Sequence, residues 1–379
     1  MVAFNEKKAI ANKGDTYRIS KLYKKLEEGE ETTICFLGGS ITQGSLSSTP
    51  QTCYAYRVYE WFKNNFPNGK INYVNAGVGG TTSVFGAARA DRDVLSYEPD
   101  LVLVEFSVND ECNDYFMESY EGLIRKLLYY KKEIAVAAIF NFYYENGKTA
   151  ERLHSKIARY YGIPAVSMQG AVYEDILSGK IEDISILSPD GLHPNDTGHD
   201  LLGRVVCFMF EKLLMEYRSG SSTPGDKADK KIKPLTGNCF ESAKRLDNRD
   251  FVPQLEGFKK DEALQECVSD CFKNGWLGCK KGDRIIFDLN GENRCSSIAV
   301  QYDKTIKRPA PVVSVTVDGD TDNNVIIDSA FEETWGDLLD IKQLFLHKEI
   351  KEHKLEIEVI DDKEGKAVPF NLVSVIITK

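Results

Sequence analysis

In the first half of the chain the apolar positions fall into short continuous runs separated by amphipathic stretches. ICFLGG, INYVNAG, LVLVEFSV and IAVAAIF, the last three near residues 71, 101 and 134, read as strands, and IPAVSM at residues 163–168 as a fifth. Uninterrupted apolar runs are what strands buried on both faces require, and the intervening YAYRVYEWFKNNF and YEGLIRKLLYY carry helical spacing. Residues 17–28, with Tyr17, Leu22, Tyr23 and Leu26 on one helical face, predict an amphipathic helix ahead of the first strand. Together these runs predict an α/β domain whose parallel sheet is covered on both faces.

A long closing helix, TGHDLLGRVVCFMFEKLLMEYR, runs into a polar stretch bearing Gly, Ser and Pro at residues 219–231, which has the composition of a linker. Beyond it the period changes. DRIIFDL, SIAVQY, VVSVTVDG, NNVIID, KLEIEVI and NLVSVIIT are short runs bounded by turn residues, and they predict an antiparallel β-sandwich. The expected organisation is an α/β domain over residues 1–218, a linker over 219–231 and an all-β domain over 232–379, with no internal repeat.

Composition agrees with two cores, since 379 residues with 42% apolar and 11% aromatic content exceed what one core usually organises. A formal charge of −10 argues against a nucleic-acid partner, which would need a concentrated basic face. The nine cysteines, at positions 35, 53, 112, 207, 239, 267, 271, 279 and 295, form no CxxC pair and no repeated ligand spacing, so reduced thiols are expected. The N-terminus MVAFNEKKAIANKGD has no apolar core, so neither a secretory signal nor a membrane span is expected, and cytoplasmic residence follows.

Four loops that follow strands carry candidate chemistry. In FLGGSITQG adjacent glycines let the chain turn sharply and expose Ser40, although Gly and Ser also build ordinary turns. In NAGVGGTTS, Gly80 can present its N–H without a side chain in the way, and in EFSVND, Asn109 can aim an amide into the same crevice. In SPDGLHPNDTGH, Asp190 and His193 are three residues apart on one loop, so the carboxylate can reach the imidazole; His199 nearby reads equally as a helix-face residue. Asp110, Glu111 and Asp114 lack the spacing of a cation-binding loop and read as a solvated acidic loop, so neither a metal nor another cofactor is expected.

Gly-Gly-Ser, Gly, Asn and Asp-x-x-His, in that order and each after its strand, resemble the motifs of the SGNH hydrolases, or GDSL-type esterases, over residues 30–215. The resemblance implies a flavodoxin-like three-layer fold with Ser40 as nucleophile, His193 as its base and Asp190 behind the histidine. It also implies an oxyanion hole formed by the N–H groups of Ser40 and Gly80 and the amide of Asn109. Two positions depart from the family pattern: Gly39 stands where many members have Asp, and Ser107 where the third motif usually begins with Gly.

The C-terminal stretches GWLGCKKGDRIIFDL, SVTVDGD, FEETWGD and KEHKLEIEVI more loosely resemble the jelly-roll sandwich found beside catalytic domains in carbohydrate-active esterases. Trp276 and Trp335 suit sugar stacking, but core or interface positions are the commoner use of tryptophan. The implied activity is hydrolysis of O-acetyl esters on an acetylated oligosaccharide or polysaccharide, as in acetylxylan esterases. The alternatives are a thioesterase or lysophospholipase and a non-catalytic glycan-binding protein. An appended sandwich with exposed apolar rims further predicts a homo-oligomer.

Overall fold

The computed structural model describes residues 2–221 and 231–379, and the chain divides into two compact units, one ending at Glu241 and the other spanning Ser242–Lys379. Most of the expected linker, residues 222–230, lies outside the described residues.

The first unit begins with α1 (Glu6–Ala9), β1 (Ile10–Asn12) and α2 (Tyr17–Glu27), followed by β2 (Glu31–Gly38), α3 (Ser40–Gln43) and α4 (Tyr54–Asn65). It continues through β3 (Lys70–Gly77), α5 (Ser83–Asp93), β4 (Leu101–Glu105) and α6 (Asp114–Leu128). The last elements are β5 (Ala135–Phe140), α7 (Glu151–Tyr160), β6 (Ala165–Ser167), α8 (Glu174–Leu177) and α9 (Asp196–Arg218). The sheet order is β1-β6-β5-β4-β2-β3, with β2 to β6 parallel and β1 an antiparallel edge. Three-residue β1 is too short to leave a periodic trace and was not legible in the pattern.

Alternation within the strands explains the two covered faces. Ile34, Phe36, Leu101, Leu103, Ala137 and Ile139 pack with α2, α4 and α9 in one core, while Leu37, Val102, Val104, Ala138 and Phe140 are equally buried on the opposite face. Register then fixes the site, because Gly38 pairs with both Gly77 and Glu105, so the loops after β2, β3 and β4 leave the sheet side by side. Chain order reverses between β2 and β4, and such a switch point opens a crevice at the carboxyl edge.

Residues 231–241 cross α6, which extends the first unit ten residues past position 231, the expected end of the linker. The cause is electrostatic. Fully buried Glu121 accepts the N–H of Leu235 (2.7 Å) and Thr236 (2.8 Å) and the Tyr161 hydroxyl (2.5 Å), Glu118 accepts the N–H of Cys239 (3.0 Å), and Arg125 donates to the Ile232 carbonyl (2.7 Å) and to Glu241 (2.8 Å). Buried charges persist only when hydrogen-bonded, and this segment supplies the partners.

The second unit is all β: β7 (Lys244–Leu246), β8 (Gln254–Glu256), β9 (Lys259–Lys260), β10 (Trp276–Gly278), β11 (Arg284–Leu289), β12 (Ser297–Lys304), β13 (Val312–Val317), β14 (Val325–Asp328), β15 (Leu338–Phe345), β16 (His353–Asp361) and β17 (Phe370–Thr378). One antiparallel sheet runs β15-β12-β17-β10-β9 with β7 also on β17, the other β14-β13-β16-β11-β8, and Phe287, Val300, Ile357 and Val375 belong to their common core. Trp276 is in that core, edge-on to Phe287. Trp335, expected in a core or interface position, is not in the core: it is 60% exposed, edge-on to Phe331, with its indole N–H on Glu333, because it lies in the loop between β14 and β15 rather than on a strand. Among the described residues no helix is long and apolar enough to cross a membrane.

A Cβ added at Gly122 would lie 2.6 Å from backbone atoms of Phe240 and Glu241. Gly122→Val is therefore expected to lift residues 231–241 off α6. Hydrogen exchange should accelerate at the amides of Leu235, Thr236 and Cys239 while those of β2 to β5 stay protected; unchanged exchange would show that the contact is not close.

Candidate active site

The turn after β2 is possible only because two residues lack side chains. A Cβ at Gly38 would fall 2.2 Å from Thr42 Oγ1 and 2.6 Å from the Glu105 carbonyl oxygen, and one at Gly39 would fall 2.3 Å from Asn109 Oδ1. This gives the departure at position 39 a physical reason in this chain, since the Asn109 amide stands where a side chain would begin. The chain passes directly from strand into α3 and leaves Ser40 at its first position, 7% exposed.

The imidazole of His193 meets that serine, with Nε2 2.8 Å from Ser40 Oγ. Its other nitrogen, Nδ1, is 2.7 Å from Asp190 Oδ2, while Asp190 Oδ1 accepts the N–H groups of Leu192 (2.9 Å) and His193 (2.7 Å). Partial burial pushes the Asp190 carboxyl up, but the bonds from the His193 ring and from these two N–H groups outweigh it and hold the group below its ordinary value. An ionised carboxylate only accepts, so the proton sits on Nδ1 and Nε2 is left to accept from the Ser40 hydroxyl.

Three N–H donors without partners lie on the loops that leave the sheet next to this serine. Gly80 has φ +68°, a left-handed conformation suited to glycine, and among the described residues neither its N–H nor that of Ser40 is taken up by a hydrogen bond. The side-chain NH₂ of Asn109 likewise has no partner there, while its Oδ1 is buried and unpaired. Ser107, the other departure, both donates to the Asn141 carbonyl (2.9 Å) and accepts the Asn141 N–H (2.7 Å), tying this loop to the end of β5.

Asp110 corrects the expectation of a solvated acidic loop. Glu111 and Asp114 are exposed, but the Asp110 side chain is fully buried: Oδ1 accepts the N–H of Ser83 (2.9 Å) at the start of α5, and Oδ2 lies 3.1 Å from Nε2 of buried His154. The His154 ring stacks on Tyr120 at 3.7 Å. His199 is also internal rather than on an open helix face. Its Nδ1 accepts the Tyr54 N–H (3.3 Å), and its Nε2 donates to the Ser45 carbonyl (3.2 Å), so α9 grips the loop that follows α3. Burial lowers His199 to about 4, which keeps it neutral at pH 7.

Three residues that the motifs did not single out support these loops. Arg89, 1% exposed, donates to the carbonyls of Gly38 (3.2 Å) and Ala76 (2.7 Å), joining the ends of β2 and β3. Gln43 accepts the Gly79 N–H, and His154 braces Asp110. Gln43 was visible inside FLGGSITQG, whereas nothing local in the sequence marks Arg89 or His154.

Residues 36–201 match the GDSL-like lipase/acylhydrolase family. A two-domain esterase (CEX) active on acetylated mannans, known from its crystal structure, is 45% identical; the match covers 99% of each chain at a TM-score of 0.92. A second structure under the same description, co-crystallised with mannopentaose, is 46% identical over 100% of this chain and 99% of that one, with a TM-score of 0.93. An acetylxylan esterase of Geobacillus stearothermophilus is 24% identical over 207 residues, 48% of this chain and 93% of that protein. The chain is thus a carboxylic ester hydrolase. It belongs to the GDSL-like lipase/acylhydrolase family.

Beneath the site lies Glu105, fully buried at the end of β4, with neither carboxyl oxygen in a hydrogen bond of ordinary geometry. Burial pushes its carboxyl up to about 8, and the nearby Asn141 amide and Ser107 groups only partly offset this. A raised carboxyl favours the folded state below the unfolded value, near 4.5, and that advantage is lost as pH climbs toward 8. Glu105→Gln removes the effect. Relative to the variant, the parent should lose up to about 1.4 kcal/mol per pH unit in this window. Thermal melts of both proteins from pH 5 to pH 8 check this, and parallel curves would refute it.

Proposed function

We propose that the chain is a serine esterase that removes acetyl groups from mannan-type oligosaccharides or polysaccharides. The observation that carries this reading is the convergence of the Ser40 hydroxyl, the His193 ring and the Asp190 carboxylate at 2.8 and 2.7 Å, and the unspent N–H groups of Ser40, Gly80 and Asn109 support it. Mannan is favoured over xylan because the mannan esterase matches both units of the chain, whereas the acetylxylan esterase matches 207 residues. Alternation of the chain between two antiparallel sheets through β11, β12, β13, β15, β16 and β17 supports a jelly-roll assignment for the second unit.

In the proposed mechanism His193 Nε2 takes the Ser40 proton as Oγ attacks the acetyl carbonyl. Negative charge moves onto the carbonyl oxygen, where the N–H groups of Ser40 and Gly80 and the Asn109 amide receive it. Collapse breaks the bond to the sugar oxygen, which takes the proton from His193 and leaves an acetyl-serine. Water, deprotonated by the same imidazole, releases acetate and restores Ser40. Asp190 keeps the imidazole in the required tautomer and stabilises its charged form.

Acetate release from acetylated manno-oligosaccharides tests the reading, and it is expected to exceed release from acetylated xylo-oligosaccharides. Ser40→Ala should keep the parent melting temperature, lose fluorophosphonate labelling and fall to near-background turnover. Retention of substantial turnover in that variant would reject the assignment. Asn109→Ala should lower kcat roughly 10²-fold with KM little changed, because the donor acts on developing charge. A change confined to KM would make Asn109 a substrate-binding group instead.

A further inference from the structure

The loop that presents Gly80 contains two consecutive glycines, and neither Gly79 nor Gly80 has a side chain to steady it. Glycine backbones carry the largest conformational freedom, so the direction of the Gly80 N–H must be set from outside. Val78 N–H donates to the Gly38 carbonyl (3.0 Å) and the Thr81 hydroxyl to the Val78 carbonyl (2.7 Å), which fixes the start of the turn. The remaining tie comes from α3: the side-chain oxygen Oε1 of Gln43 accepts the Gly79 N–H at 2.7 Å.

Gln43 is the last residue of α3, three positions after Ser40, and residues at that spacing share a helix face. The loop also lies tight against this helix. A Cβ at Gly77 would fall 2.1 Å from the Gln43 backbone nitrogen, and one at Gly79 would fall 3.6 Å from Ser40 Cβ and 2.9 Å from Gln43 Oε1. One four-residue helix thus carries both the hydroxyl and the acceptor that holds the neighbouring loop. Substrate would have to be received between them.

We propose that Gln43 is a positioning residue that holds the Gly79–Gly80 turn so that the Gly80 N–H points at the oxyanion formed by attack of Ser40. The inference rests on the serine-esterase reading above and extends it to a residue that does not itself touch the reacting atoms. Losing a direct oxyanion donor costs on the order of 10²–10³ in turnover, whereas loosening a donor that remains present costs less, about tenfold here.

Gln43→Met keeps the length of the side chain without its acceptor, and Gln43→Ala removes both; the side chain is exposed, so neither should disturb the fold. On acetylated manno-oligosaccharides both variants are expected to show kcat about tenfold lower, unchanged KM and unchanged melting temperature, with fluorophosphonate labelling slowed in parallel. A purely packing role would leave Gln43→Met active. Parent-like kcat in Gln43→Met, or an effect seen in KM or melting temperature alone, overturns the proposal. With Ser40→Ala measured alongside, the two failures separate. An inactive Ser40→Ala beside a fully active Gln43→Met removes only the role of Gln43, whereas an active Ser40→Ala removes both readings.

Discussion

Everything at the candidate site depends on how closely three chain segments approach one another at the carboxyl edge of the sheet. Gly38 sits between Gly77 and Glu105 in the ladder, and neither Gly38 nor Gly39 has room for a β-carbon. Because the strand ends without side chains, the helix bearing Ser40 starts immediately, and the loops bearing Gly80 and Asn109 close in from either side. A larger residue at either glycine would have to displace Thr42, the Glu105 carbonyl or the Asn109 amide.

A second layer of buried polar groups holds that arrangement. Arg89 joins the ends of β2 and β3, Asp110 joins the Asn109 loop to the start of α5 and to His154, and His199 joins α9 to the loop following α3. Each of these groups would be costly inside the protein if left unpaired, and each is bound to backbone of a segment that carries a candidate functional group. On the proposed mechanism, donors held rigid in this way would need little rearrangement as charge develops, which is the basis of electrostatic preorganisation. Glu105 departs from this economy. It is a buried carboxyl with no bond of ordinary geometry, and burial pushes its pKa well above the ordinary carboxylate value.

The same principle governs where the first unit ends. Glu118, Glu121 and Arg125 are buried charges on α6, and the backbone of residues 231–241 supplies hydrogen bonds that water would otherwise provide. The match over nearly the whole length of a two-domain mannan esterase makes both units part of one comparison, so the proposed substrate class rests on more than the local motifs around Ser40.

The sequence alone determined the strands buried on both faces, the long closing helix and the change of class in the second half, and it marked Ser40, Gly80, Asn109, Asp190 and His193 as candidates. Those features are local: hydrophobic period records burial, and short motifs at strand ends record turns. Tertiary structure decided that Gly39 makes room for Asn109, that Asp110 is a buried brace rather than a solvated acid, that residues 231–241 belong with the first unit, and that Trp335 is exposed. It also decided the ties made by Arg89, His154 and Gln43. Each depends on which distant backbone group lies within hydrogen-bond reach, a distance created only when the sheet register is set, and no periodicity along the chain encodes it.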